Sequence, residues 1–416
     1  MIRKLKKLDY QEKISFLIHL IYSIFDGLFL GILTLNEFIF IKTLNGSDYQ
    51  LGFLFQFTSI VFILGIFLNH QIRKISSKRR LVIWTGIITR LPLVFLYFFP
   101  DTTTNIHHYL FLAIFLVFYM AGPITQPLIN LFLKSSYKDN HFSRLYSYAT
   151  LSNKFIMLIT TFVFGVVMDV NPLSYKLIYP FMGILAIGNF YMLSLLDKTP
   201  KVKRTEHFKI EIFGPLKKTW QIIKENKKFR DFQIGFMFYG FGFMVSFPIL
   251  NIYYDDVLEL NYSSVAFYKN IYNVLAIILL PIFGKMLGNI DPRKFAAYTF
   301  GSLALFLFFV MITEYLPIYT EIAGLKIYLF MIISMLFHGV FAATMSLLWN
   351  IGSAFFCKKE EAADYQAIHI SLTGFRAMYG PILGIFFYEI IGFTGAFSIA
   401  IVSLVVSVII MLKSIR

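Results

Sequence analysis

The chain holds a single cysteine, Cys357, in 416 residues, which leaves no means of forming an internal disulfide or a thiolate metal cluster. Charge is scarce as well. Asp, Glu, Lys and Arg make up 15% of the sequence, against about 25% in a soluble domain. No Gly-rich loop ends in Lys-Ser or Lys-Thr, so ATP is not expected as the energy source. Neither His338 nor His369 has a second His or carboxylate at metal spacing, and neither a metal nor any other cofactor is expected. No apolar run alternates with period two, which rules out barrel strands. Soluble, disulfide-stapled, metal-folded and β-barrel classes are all excluded.

What remains is dominated by hydrocarbon. Hydrophobic residues reach 57%, with 49 Phe and 25 Tyr, and the mean hydropathy is +0.69. A chain of this composition needs lipid as its solvent. A helix crossing a bilayer takes about 20 mostly apolar residues. Twelve such runs are read at roughly 15–42, 51–70, 81–99, 108–134, 146–169, 174–196, 231–254, 264–283, 296–315, 327–356, 365–391 and 394–412. Turn residues separate them, among them Asn45-Gly46-Ser47, Pro100-Asp101, Asn171-Pro172 and Asp291-Pro292. The basic head before the first run is not a cleaved signal, because the run is too long and no small-residue cleavage site follows.

Basic residues fix the orientation. Of the 38 Lys and Arg, 31 fall on the side that carries both termini, the loops after spans 2, 4, 8 and 10, and the long segment after span 6. Both termini are therefore expected in the cytoplasm. The net charge of +15 follows from this asymmetry, so no nucleic acid is expected as a partner. The expected partners are a small-molecule substrate, protons and the lipid bilayer, with the chain acting as a monomer.

Six spans, a polar stretch and six more spans suggest an internal repeat. An ungapped offset of 214 residues sets Phe25 on Tyr239, Phe29 on Phe243, Leu44 on Leu258, Phe53 on Phe267 and Arg79-Arg80 on Arg293-Lys294. Pseudo-repeated halves are the build of many secondary transporters. The expected fold is an all-α membrane protein, twelve transmembrane helices arranged as two six-helix pseudo-repeated bundles, at residues 1–196 and 231–416. Between them, 197–230 forms a cytoplasmic linker. Within it Leu216, Trp220 and Ile223 share one helical face with lysines on the others, the pattern of an interfacial helix.

This arrangement resembles the major facilitator superfamily over essentially the whole chain. The superfamily's loop signature, Gly-x-x-x-Asp-x-x-Gly-Arg-Arg, follows span 2 and recurs after span 8. The first copy here begins at His70, with Lys74 for Asp, Ser77 for Gly and Arg79 retained. The second keeps Gly284 and Arg293, with Gly288 for Asp and Asp291 for Gly. The start of span 11, from Tyr365 through His369 and Arg376 to Pro381 and Gly384, resembles a bacterial branch of the superfamily. That resemblance implies a multi-pass protein of the cell inner membrane.

Ionisable side chains at membrane depth mark function by default. Counted from the cytoplasmic ends, Asp26, Arg90, Lys154 and Arg376 lie roughly 12–17 Å deep at 1.5 Å per residue. Three bases and one acid in one layer favour an anionic ligand. Arg376 is the expected anchor, because its fork pairs with two oxygens, with help from Arg90 or Lys154; as packing residues, Arg90 would instead pair with Asp26 and Lys154 would snorkel. Gln126 and Asn130 beside Pro123 and Pro127, Tyr239, and Asn350 next to Trp349 are further substrate-lining candidates. The resemblance implies that spans 1, 4, 7 and 10 line the cavity, which makes Asp26 the expected proton-coupling acid. His338 and Glu37 are further proton-coupling candidates, and His369 is a candidate cap or gate. No catalytic residue is expected, and the protein is not read as an enzyme.

The expected function is secondary active transport of a small anionic solute by alternating access, coupled to protons. Alternatives are a proton-coupled exporter of lipophilic or cationic compounds, a multispan membrane enzyme resting on His338 alone, and a non-transporting sensor of the same fold.

Overall fold

The computed structural model of the chain describes residues 9–57, 60–61, 75, 77–198, 213–358 and 361–415. Several expected features lie outside the described residues: Arg3 to Lys7, most of the second span, the first copy of the loop motif from His70 to Lys74, residues 199–212 of the linker, and Lys359.

The fold of the described residues is mainly helical, with one β-hairpin. Its elements are α1 (Tyr10–Leu33), α2 (Asn36–Lys42), α3 (Lys78–Arg90), α4 (Asn105–Tyr119), α5 (Ala121–Ser136), α6 (Asp139–Val170), α7 (Tyr175–Ser194), α8 (Phe213–Glu225), α9 (Lys227–Asp256), α10 (Tyr262–Leu287), α11 (Pro292–Tyr315), β1 (Tyr319–Ile322), β2 (Leu325–Tyr328), α12 (Leu329–Ile351), α13 (Ala362–Ala377) and α14 (Gly380–Lys413). Residues 48–57 are also helical. Among the described residues, ten stretches are long and apolar enough to cross a membrane. The last, Ile368–Lys413, runs for 46 residues, about twice what a hydrocarbon core of roughly 30 Å requires. It is broken at Gly392, whose φ of 70° and ψ of −178° suit a residue without a Cβ. That glycine divides it where the eleventh and twelfth runs were separated in the sequence.

Each break has a local cause. The first expected span is two helices, because the chain turns at Thr34 and Leu35 between α1 and α2. After Arg90 the α-helix gives way to a 3-10 helix, Leu91–Phe98, with Pro92 near its start; proline offers no N–H to the carbonyl four residues back. The fourth span breaks at Met120 between α4 and α5, where Pro123 likewise leaves the Tyr119 carbonyl without its usual donor. The expected start of span 10 at residue 327 falls inside β2, and the helix begins at Leu329. Ahead of it, β1 and β2 pair in register Tyr319 to Tyr328 around Ala323 and Gly324, both at positive φ.

The chain divides into two compact units, residues 1–46 with 61–206, and residues 47–60 with 207–416. In the first, α1 packs on α6 closely enough that a Cβ at Gly27 would lie 2.3 Å from the Asn153 carbonyl oxygen, the small-residue contact typical of helices in lipid. In the second, a Cβ at Gly384 of α14 would lie 2.2 Å from the Val245 carbonyl oxygen of α9. Residues 47–60 are held in the second unit by Gln56 Nε2 donating to the Met378 carbonyl at 2.6 Å and Tyr49 Oη donating to Glu389 at 2.6 Å. Side chains such as Trp84, Phe95, Phe98 and Ile278 are exposed, as lipid-facing surfaces require.

The second motif copy has become a structural clasp. Asp291, standing where the signature has glycine, caps α11 and takes two side-chain bonds from Arg293, at 2.8 and 3.0 Å. Arg293 also donates to the Ser414 carbonyl, tying α11 to the last turn of the chain. The Arg293 guanidinium holds the Asp291 carboxyl below its ordinary value of 3.8. Its stabilising effect is therefore present above that value and lost as pH falls through the lowered one. Asp291→Asn keeps the cap and removes the charge. It should lower stability by up to about 1 kcal/mol at pH 7, with the gap from the parent closing between pH 5 and pH 3 in thermal unfolding. A gap independent of pH would assign the effect to something other than the charge.

Candidate functional site

In the first unit the expected acid and two of the expected bases share one region. Asp26 on α1 receives a bond from Asn153 Nδ2 of α6 at 2.9 Å, and the same amide donates to the Ser23 carbonyl at 3.1 Å. Gly27 permits this by letting α6 approach. Arg90 and Lys154 act on Asp26 through their fields, but among the described residues no ion pair joins them. Arg90 turns elsewhere: Nη1 donates to the Phe118 carbonyl at 2.7 Å and to Thr89 Oγ1 at 3.2 Å. Its guanidinium lies 3.7 Å from the Phe118 ring centroid and 5.0 Å from that of Phe190. It thus braces the breaks in spans 3 and 4. The direct Asp26–Arg90 pair weighed from the sequence is not formed.

Lys154 is half-buried, with Nζ 3.9 Å from the Met157 sulfur. Gln126 and Asn130 are both exposed on α5, around Pro127 inside that helix. Glu37 sits in the first turn of α2, beyond the break after α1, so it does not share one continuous helix with Asp26. A cleft of about 280 Å³ in this unit is lined by Trp84, Ile88, Val117, Met120 and neighbours. It contains none of the ionisable candidates, and its walls suit an acyl chain better than a charged solute.

The second unit holds Arg376 on α13, 2% exposed. Its Nη1 donates to the Phe236 carbonyl of α9 at 2.5 Å, and its guanidinium carbon lies 5.5 Å from the Tyr239 ring centroid. Gly240 makes the room, since a Cβ there would stand 1.9 Å from Arg376 Nε and 2.2 Å from Cζ. Nε has no partner, and the groups that act on the guanidinium electrostatically are the hydroxyls of Tyr239 and Tyr379. Among the described residues no carboxylate pairs with it. A buried cation left in this state carries a desolvation cost that an arriving anion would offset.

Tyr239 is buried and stacked on Phe300 at 4.6 Å, so it supports the guanidinium rather than standing open. His338 on α12 lies in an aromatic box of Tyr272 at 4.0 Å, Phe306 at 4.4 Å and Phe247 at 5.8 Å, with Nδ1 unpartnered. Asn350 is exposed and donates to the Ser346 carbonyl at 2.7 Å. His369, expected as a cap or gate, is buried two turns into α13, where its Nδ1 meets Gln233 Oε1 of α9 at 3.2 Å. Gln233 and Gly240 were not singled out from the sequence. The available signal was spacing: Gln233 and Gly240 stand seven residues apart, as do His369 and Arg376.

Gly240→Ala should push the guanidinium off the Phe236 carbonyl and lower stability by about 1–3 kcal/mol. Gly188→Ala in α7, where an added Cβ meets nothing within 4 Å, should instead gain about 0.5–1 kcal/mol from helix propensity. Thermal unfolding of the two purified variants checks both. Equal effects would mean that Gly240 holds no special room for Arg376.

The family model of the Major Facilitator Superfamily matches residues 15–325. No curated protein matches the chain. Among solved structures, the nucleoside transporter NupG aligns with a TM-score of 0.66 at 14% identity, over 96% of this chain and 98% of that one. A peptide transporter POT in complex with sulfate gives a TM-score of 0.70 at 13% identity, over 97% of this chain and 94% of that one. A POT family transporter in complex with 5-aminolevulinic acid gives 0.70 at 10% identity, with 96% of each chain covered. At these identities the likeness is one of fold.

Proposed function

This chain belongs to the major facilitator superfamily, and from that premise we propose that it carries a small anionic solute across the bacterial inner membrane by alternating access, coupled to protons. Family membership and the transporter likenesses point to a secondary transporter rather than an enzyme. Twelve spans in two six-helix halves are part of this proposal, as are cytoplasmic termini and action as a monomer.

The observation that carries the anionic reading is Arg376. A guanidinium buried against α9, with an unpartnered Nε and no carboxylate beside it among the described residues, is a preformed donor for a carboxylate or phosphate. Its planar fork suits two oxygens at once. Asp26 is proposed as a proton-coupling acid in the first unit, where Asn153 bonds it and Arg90 and Lys154 act on it from a distance. Arg90 and Lys154 are proposed to assist through their positive fields. Gln126, Asn130 and Asn350 are proposed to line the solute path, with Tyr239 supporting Arg376 from behind and His338 and Glu37 as subsidiary proton sites. Export of lipophilic cations is the competing reading, and Asp26 is the residue that would carry it.

Thermal unfolding of the detergent-purified protein separates the two. A ligand of the folded state present at 100 times its Kd adds about 2.7 kcal/mol of stability. Anionic metabolites should raise the melting temperature of the parent and of Asp26→Asn, with no effect on Arg376→Ala. A shift from lipophilic cations that requires Asp26 would overturn the anionic reading.

Topology can be read from the lone thiol. Cys357 is partly exposed in the segment after α12, expected on the cytoplasmic side. Burial and the Glu361 carboxylate raise its pKa, so labelling should quicken as pH rises. A membrane-impermeant maleimide should label inside-out vesicles and leave right-side-out cells unlabelled. The opposite pattern would reverse the proposed orientation.

A further inference from the structure

Three side chains along one strip of the second unit are each at least nine-tenths buried and each keep a polar atom without a partner: Gln233 Nε2, His369 Nε2 and Arg376 Nε. Their exposures are 3%, 1% and 2%. The strip lies where α9 meets α13. Gln233 faces His369 through a 3.2 Å bond, and two turns further along both helices Gly240 faces Arg376. Seven residues of helix separate the two levels, roughly 10 Å at 1.5 Å per residue. The Phe236 residue between them offers its carbonyl to Arg376 and its ring edge to His369, with centroids 4.7 Å apart.

The hydrogen-bond roles are set by chemistry. Gln233 Oε1 can only accept, so His369 Nδ1 carries the hydrogen and Nε2 holds a free lone pair. The orphaned atoms are therefore two donors, on Arg376 and Gln233, and one proton acceptor, on His369. Native interiors leave few buried polar atoms unpaired, and an anion at Arg376 accompanied by a proton on His369 would satisfy two of these three side chains.

We propose that Gln233, His369 and Arg376 form one composite site that takes up a carboxylate or phosphate together with a proton, the anion on Arg376 and the proton on His369 Nε2, with Gln233 holding the His369 ring. The proposal rests on the anionic reading of Arg376 and adds the residue that couples it to protons. The proton comes from water, and the Nε2 lone pair accepts it; no other bond is made or broken. The coupling is electrostatic. The groups around His369 are Phe232, Gln233 and Phe236 from α9, Trp349 from α12, and Tyr365, Thr373 and Arg376 from its own helix. Arg376 is the charged group that acts on it. An anion that neutralises Arg376 removes the like charge opposing a proton on His369. At about 10 Å and an effective dielectric near 20, each event favours the other by about tenfold. By reciprocity, protonation tightens the anion by the same factor. Proton and anion then move together, as cotransport requires.

The test is anion-dependent thermal stabilisation of the full-length purified protein at pH 6 and pH 8. Sodium sulfate stands in for phosphate because it stays fully ionised, and sodium acetate stands in for a carboxylate. In the parent, apparent affinity for one of the two should be higher at pH 6 than at pH 8, with about tenfold as the ceiling set by the coupling. His369→Asn keeps a donor toward Gln233 and removes the titrating nitrogen. It should bind the anion with no dependence on pH, and His369→Gln provides a second variant should the first fail to fold. Arg376→Gln should lose stabilisation at both pH values. Anion binding whose pH dependence survives in the His369 variants would overturn this inference and leave the anionic reading intact. Absence of any effect of either salt on the parent would overturn both.

Discussion

Lipid cannot hydrogen-bond to a backbone carbonyl, so each bent or closely packed helix at membrane depth must find its donors within the protein. Two arginines meet that constraint in this chain, and much of the interior is arranged around them. Arg90 donates to Phe118, beside the break between α4 and α5, and lies on the ring of the same residue. Arg376 donates to Phe236 in α9 and lies beside Tyr239. Both guanidinium groups are thus held by one carbonyl and the face of an aromatic ring. The same geometry serves different ends because the surroundings differ. Arg90 has a second acceptor in Thr89 and Asp26 within its field. Arg376 has an unpartnered Nε and only hydroxyls acting on it.

Glycine makes the second arrangement possible. Gly240 stands four residues after Phe236, so its own N–H serves the carbonyl along the helix while its missing Cβ leaves the second lone pair open to Arg376. A charged group that reaches a helix backbone in this way is positioned by main-chain atoms. Such a cation is rigid, and a rigid donor loses little conformational entropy on meeting an anion.

Hydropathy made the membrane-spanning character legible, because runs of about 20 apolar residues admit few other readings. The breaks at Pro92 and Pro123 are not legible in it, because hydropathy runs on unchanged through both prolines and spans 3 and 4 read as continuous. Depth along a helix could be counted, so Asp26, Arg90, Lys154 and Arg376 were found. Their partners could not be counted, since facing depends on how helices rotate against one another. Arg90 was set against Asp26 by charge alone, whereas the structure gives it the Phe118 carbonyl. The hairpin at residues 319–328 escaped notice because its turn places Ala323 at positive φ, a residue that carries no such signal. Residues 47–60 pack with the second unit through Gln56 and Tyr49, a long-range choice invisible in chain order. The clasp of Asp291 on Arg293 was hidden inside a motif read only for its departures from pattern.

The charge within each unit bears on which cargo can be carried. In the first unit the acid is matched: Asp26 accepts a bond from Asn153, and two bases act on it. A cationic cargo arriving there would have to compete with those fields. In the second unit the base is unmatched, and about 10 Å along the same strip lie one unpartnered donor and one proton acceptor. An anion would neutralise Arg376, and a proton on His369 would then meet no like charge. A neutral cargo would leave Arg376 as it is, and a cation would add to the repulsion. Desolvation makes such imbalances expensive in proportion to burial, and at 2% exposure Arg376 has almost no recourse to water. The second unit therefore bears more directly than the first on the proposed sign of the cargo, because among the described residues no carboxylate stands beside its buried Arg376.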